Sequence, residues 1–122
     1  MDMKRILLVE DDPVLLKLYA DLLKTEQLIV ETATEGQEAY EKMKVGGWNL
    51  VLLDMLLPQM NGLDIVRKLK SSPPQTPNKK IVFLTNLEKG KELDEIKKMG
   101  FEFIIKSNLT PDKFVEKIKS YL

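Results

Sequence analysis

Short runs of β-branched and leucine side chains alternate along the chain with longer stretches in which apolar residues recur every three or four positions. The short runs read as strands buried on both faces, the longer stretches as helices with one apolar stripe. Five of each follow in turn, which predicts an α/β fold with a five-stranded parallel sheet and helices on both faces. The strands are expected at 5–9, 29–33, 50–53, 80–84 and 101–105. The second reads as an edge, because Glu31 and Thr32 interrupt its apolar character.

Helix starts carry capping signals. Asp12 before Pro13 and Thr110 before Pro111 each place an oxygen acceptor ahead of a proline suited to the first helical turn. Thr34 with Gln37 spells a capping box, and Asn61 ahead of Gly62 caps a further helix. The stripes Leu15, Leu18, Tyr19, Leu22 and Phe114, Val115, Ile118, Leu122 are expected in the core. The charged stretch 88–98 reads as the solvated face of a helix. Three prolines in 71–78 end a helix and form the one conspicuous loop.

With 122 residues and no repeat or linker, the chain is expected to form a single domain, 1–122. Its 19 basic and 19 acidic residues cancel, so net charge supplies no pull toward nucleic acid or anionic membrane, and no direct contact with either is expected. There is no cysteine and no histidine. That excludes disulfides, thiolate nucleophiles, imidazole metal ligands and a Ser-His-Asp triad. The first apolar run is too short for a signal peptide, and none approaches the roughly 18 residues that span a bilayer. A cytoplasmic location is expected.

What chemistry remains must come from carboxylates, hydroxyls and amines. In an open parallel sheet, ligands bind beyond the carboxyl ends of the strands. The first run ends in Glu10 and Asp11, the third in Asp54, the fourth in Thr85 and the fifth in Lys106. Three acids gathered there repel one another unless a cation offsets them, and a hard divalent ion such as Mg²⁺ suits oxygen ligands. A carboxylate nucleophile ringed by a metal, an ammonium and a hydroxyl suffices for phosphoryl transfer. Asp54 is the natural nucleophile, since an acid directly after so apolar a strand is costly to bury without a partner. Glu10 is either a water-mediated ligand or a solvated strand end, and Asp12 is a helix cap rather than a ligand.

In order and spacing, Val9-Glu10-Asp11-Asp12, the stretch from Leu53-Asp54 to Asn61-Gly62, Leu84-Thr85-Asn86 and Ile105-Lys106 resemble the receiver domain of bacterial response regulators. The resemblance covers nearly the whole chain. It implies the flavodoxin-like strand order 2-1-3-4-5, for which a receiver is a standing example. It further implies that Asp54 accepts a phosphoryl group, that Glu10, Asp11, Asp54 and the Leu56 carbonyl hold Mg²⁺, with Mn²⁺ or Ca²⁺ as substitutes, and that Thr85 and Lys106 contact the phosphoryl group. By the same resemblance Phe103 stands at the family's switch aromatic, which moves inward with Thr85; the alternative reading is a core aromatic with no switching role, since Phe101 and Phe103 lie on one strand face. The implied donor is a sensor histidine kinase or a histidine phosphotransfer protein. The implied recipient is a downstream protein or output domain, with the receiver a monomer or a phosphorylation-dependent dimer. Such a domain is a phosphoacceptor rather than an enzyme, though it promotes its own phosphorylation and dephosphorylation.

The chain departs from the family in places. Ser107 replaces the proline that supports a cis bond after the lysine, and a non-proline cis bond costs about 2.5 to 4 kcal/mol. Asn86 is bulkier than the usual residue and narrows the entry to Asp54. Leu56 and Leu87 are apolar where polar groups act on attacking water, so slow hydrolysis of the phosphoaspartate is expected. The spacing from Gly100 to Phe103 is one residue short, which touches the geometry of the aromatic switch.

Two rivals remain. A phosphohydrolase needs a second acid two residues after its nucleophile, where Leu56 stands. A receiver-fold interaction module that is never phosphorylated differs in lacking a Mg²⁺ response, with Trp48 fluorescence as the reporter.

Overall fold

In the computed structural model, which describes residues 3–86 and 89–122, strands and helices alternate. They run β1 (Arg5–Val9), α1 (Pro13–Lys24), β2 (Ile29–Ala33), α2 (Gly36–Val45), β3 (Leu50–Asp54), α3 (Gly62–Ser71), β4 (Ile81–Thr85), α4 (Lys91–Lys98), β5 (Glu102–Ile105) and α5 (Pro111–Ser120), with a 3-10 turn over Lys106–Asn108. The strands pair in parallel in the order β2-β1-β3-β4-β5. The predicted fold and strand order are the observed ones. Asp54 and Thr85 are the last residues of β3 and β4 rather than the first beyond them.

Why β1, β3 and β4 are central follows from their side chains. Leu7, Val9, Val51, Leu53 and Phe83 face the cluster that includes buried residues of α2, α3 and α4. Ile6, Leu8, Leu50, Leu52, Val82 and Leu84 face the cluster that includes buried residues of α1 and α5. A strand that is apolar on both faces is stable only with helices on both sides. Each such side chain contributes about 1.5 to 3 kcal/mol when fully buried. β2 alternates between exposed and half-buried positions, as its edge place requires, before ending in buried Ala33.

Three of the four expected caps form. Asp12 accepts from the N–H groups of Val14 and Leu15 at 2.9 and 3.3 Å. Asn61 accepts from Asp64 N–H at 2.9 Å, and Thr110 from Lys113 N–H at 3.3 Å. The capping box of Thr34 and Gln37 does not form. The Gly36 N–H bonds the Pro58 carbonyl at 3.2 Å and α2 starts there, one residue later than the box requires. The Glu38 carboxylate then reaches back to the Thr34 N–H at 2.9 Å.

The α1 stripe also differs from expectation. Tyr19 is buried, but Leu15 and Leu22 are only partly covered and Leu18 is 43% exposed. The buried line of the helix runs instead through Tyr19, Ala20 and Leu23, turned toward Phe114 of α5, whose ring stacks on Tyr19 at 4.5 Å. In α4 only Leu93 and Ile96 are buried, in keeping with a solvated charged face. Glu88 lies outside the described residues.

The proline-bearing loop is stitched down. Gly47 N–H bonds the Thr76 carbonyl at 3.1 Å and Gln75 N–H the Lys44 carbonyl at 3.1 Å, while the Asn78 amide donates to the Met43 carbonyl at 3.0 Å. The loop therefore straps the carboxyl end of α2 to the start of β4, at the end of the sheet away from Asp54.

Candidate functional site

Parallel pairing brings the carboxyl ends of β1, β3 and β4 together, with the residue after β5 alongside. A cavity of about 340 Å³ opens there, lined by Glu10, Asp11, Asp54, Leu56, Thr85, Asn86 and Lys106, with Asp12 and Leu15 at one side. Its floor is buried: Glu10 is 1%, Asp54 5% and Thr85 2% exposed. Asp11, Asp12, Leu56 and Asn86 form an exposed rim.

Lys106, placed by the 3-10 turn, bridges the floor. Its Nζ lies 2.6 Å from Glu10 Oε1 and 2.9 Å from Asp54 Oδ2. The other Asp54 oxygen accepts the Leu56 N–H at 3.2 Å, and the second Glu10 oxygen accepts the Asp12 N–H at 3.2 Å. Burial raises the Glu10 pKa above the usual carboxylate value, and contact with Asp54 adds to the rise, while Lys106 and the Asp12 N–H pull the other way. Burial opposes the charge of Lys106, but hydrogen bonds and attraction from Glu10 and Asp54 outweigh it, so its pKa stands above the ordinary lysine value.

Glu10, Asp11 and Asp54 each direct one carboxylate oxygen to within 4.8 Å of the others. Two of these acids are buried on a single ammonium, leaving excess negative charge in a low-dielectric place. Such a donor set, all oxygen and over-anionic, fits a hard divalent cation. Tyr19 feels the same charges: burial first, then Glu10, Asp54 and Asp12, push its phenol pKa up against the opposing pull of Lys106.

Two close backbone approaches that sequence reasoning did not single out hold the loop after β3 in place. A Cβ on Gly62 would sit 2.6 Å from the Asp54 carbonyl oxygen and 3.0 Å from the Phe83 ring. A Cβ on Gly36 would sit 1.8 Å from the Met60 carbonyl. Glycine at both positions lets the loop after β3 lie flat against the neighbouring helix starts. Only the Asn61-Gly62 pair left a trace in sequence, as a helix start.

Asp12 serves as a cap, as read from Pro13. Phe103 is half-buried against the α2, α3 and α4 side, with Lys97 Nζ 5.3 Å from its ring centroid. Phe101 precedes β5 and meets Phe83 edge-on at 5.5 Å. All described peptide bonds are trans, Lys106–Ser107 included. Leu87 lies outside the described residues. Trp48 is buried ahead of β3, its indole N–H on the Lys42 carbonyl at 3.0 Å. That is the far end of the strand from Asp54, roughly 20 Å away at about 3.3 Å per residue, so it is a poor reporter for the cavity.

The family model described as response regulator receiver domain matches residues 6–119. Transcriptional regulatory protein SrrA of Staphylococcus aureus is 34% identical over 122 residues, 96% of this chain and 47% of that protein. The chain thus spans about half the length of this curated relative. A receiver domain protein from Methanospirillum hungatei superposes with a TM-score of 0.83 at 29% identity, covering 98% of this chain and 93% of that one. TrrA from Thermotoga maritima, solved in complex with Mg(2+)-BeF, gives a TM-score of 0.78 at 30% identity and covers 98% and 100%.

Proposed function

The chain belongs to the response regulator receiver family and is a phosphorelay receiver, and from that premise we propose that Asp54 is the residue that takes the phosphoryl group. The observation that carries this assignment is the buried Asp54 carboxylate held 2.9 Å from Lys106 at the floor of a cavity open to solvent. Residues 1–122 act as one receiver unit, in the cytoplasm.

Glu10, Asp11, Asp54 and the Leu56 carbonyl are the proposed ligands of Mg²⁺, with Mn²⁺ or Ca²⁺ able to replace it. When bound, the ion supplies charge neutralisation at the phosphoryl oxygens. An Asp54 oxygen forms the new bond to phosphorus while the bond from phosphorus to the donor's imidazole nitrogen breaks, and the imidazole takes up a proton from solvent. Lys106 turns from the carboxylates to a phosphoryl oxygen, and the Thr85 hydroxyl donates to another. The donor is a sensor histidine kinase or a histidine phosphotransfer protein. Movement of Thr85 carries Phe103 with it and alters the surface that a downstream protein or output domain reads, as a monomer or as a dimer formed on phosphorylation.

Labelling with acetyl phosphate and Mg²⁺ tests the assignment. Wild-type chain gains one phosphoryl group, and Asp54→Asn gains none. Undiminished labelling of Asp54→Asn overturns it.

A further inference from the structure

Loss of the phosphoryl group from Asp54 requires water to approach phosphorus from the cavity mouth, opposite the Asp54 oxygen. The mouth is bounded by the exposed rim residues Asp11, Asp12, Leu56 and Asn86, with Leu15 beside them. Most of the lining cannot hold that water. Leu15 and Leu56 have no polar side-chain atom, and Asp12 caps α1 through Oδ1 and carries a negative charge that repels phosphate. Glu10 and Asp11 belong to the acidic cluster, where their charge repels phosphate, and Lys106 and Thr85, which also line the cavity, turn to phosphoryl oxygens once Asp54 is phosphorylated. Asn86 is exposed at the rim. Its amide has both a donor and an acceptor, and among the described residues its side chain has no hydrogen-bond partner.

We propose that Asn86 is a positioning residue for the water that hydrolyses the aspartyl phosphate. This rests on Asp54 being the phosphoacceptor. Asn86 Oδ1 accepts a hydrogen bond from the water, and Nδ2 donates to a phosphoryl oxygen. The water oxygen forms a bond to phosphorus as the bond from phosphorus to Asp54 breaks. Asp54 departs as a carboxylate, the water's proton passes to a phosphate oxygen, and orthophosphate leaves. Asn86 keeps its own protons throughout.

The alternative role for this side chain is steric, and it predicts the opposite result. Wild type, Asn86→Leu and Asn86→Ala are phosphorylated with acetyl phosphate and Mg²⁺, the donor is removed by rapid desalting, and acid-labile phosphate on the protein is followed over time. Leucine keeps the bulk of asparagine without its hydrogen bonds; alanine removes both. The proposal expects both variants to lose phosphate more slowly, by about three- to tenfold, the effect of one hydrogen bond. Thermal midpoints should be unchanged. Unchanged rates overturn it, as does faster loss in Asn86→Ala or slowing confined to Asn86→Leu. Absence of label on wild type would overturn the Asp54 assignment itself, whereas label with unaltered decay overturns only the role of Asn86.

Discussion

Lys106 Nζ stands closer to Glu10, at 2.6 Å, than to Asp54, at 2.9 Å, so one ammonium serves two buried carboxylates before any phosphoryl group arrives. An acid whose folded pKa is raised weakens the fold once pH exceeds its unfolded value, because the folded state binds the proton more tightly. Glu10 is such an acid, raised above 4.5 by burial first and by Asp54 second. Glu10→Gln keeps an oxygen acceptor for Lys106 and removes one charge. In EDTA at pH 7 it should stabilise the protein, by about 1 kcal/mol in urea unfolding, while weakening Mg²⁺ binding. Below pH 4, where Glu10 is protonated in both states, the gain should vanish. A destabilised Glu10→Gln at pH 7 would mean that the Lys106 pair outweighs the cost of burial.

Gly62 presses on the same strand end from the other side. Its missing Cβ would lie 2.6 Å from the Asp54 carbonyl and 3.3 Å from Leu53 Cγ, and the first of these is backbone that cannot rotate away. Gly62→Ala should cost about 1 to 3 kcal/mol and slow labelling of Asp54 by acetyl phosphate. Wild-type labelling together with wild-type stability would show that the loop after β3 moves freely.

What could be read in advance follows from where the physics is local. Continuous apolar runs identified β1, β3 and β4, and their terminal residues Glu10, Asp54 and Thr85 were legible because a parallel sheet sends its strand ends to one edge. Caps that depend on one residue and its near neighbours, Asp12, Asn61 and Thr110, were legible for the same reason. The capping box at Thr34 failed because a distant carbonyl, that of Pro58, fixes the start of α2. The rotation of α1, which leaves Leu18 exposed, is set by its packing on α5, and the close approaches of Gly36 and Gly62 involve residues far along the chain. None of these leaves a periodic mark in sequence.

Gln59 lies in the loop after β3 with φ of 69°, a left-handed conformation that strains a side chain bearing Cβ. Glycine removes the strain but adds freedom to the unfolded chain. The first effect is the larger, so Gln59→Gly should raise stability by up to about 1 kcal/mol. Urea midpoints check this, and a lowered midpoint would reveal a compensating contact of the Gln59 side chain.

Tyr121 closes α5 onto the sheet. Its hydroxyl is buried without a hydrogen bond of good geometry, and burial first, then the charge of Glu102, pushes its pKa from 10.0 to about 12. The unfolded chain therefore ionises first as pH rises, and the folded state loses stability between about pH 10 and 12. Tyr121→Phe should flatten that part of the stability profile while changing little at pH 7. An unaltered alkaline slope would place the effect on another group.

Leu56 is 65% exposed, yet its backbone is engaged, its N–H on Asp54 Oδ1 at 3.2 Å. Exposed leucine on the rim contributes little to folding, since its side chain is not removed from water. It does deprive the cavity mouth of a polar group that can hold an attacking water, which is why slow hydrolysis is expected. Leu56→Asn should leave stability within about 0.5 kcal/mol, because the backbone bond to Asp54 is retained. It should shorten the life of the phosphorylated protein by about three- to tenfold. Combined with Asn86→Leu, it should recover much of the rate that Asn86→Leu loses, since either amide then has access to the same water. If Leu56→Asn leaves the decay unchanged, the apolar side chain of Leu56 is not what protects the phosphoryl group, and a wild-type half-life of only seconds would show that there was no protection to remove.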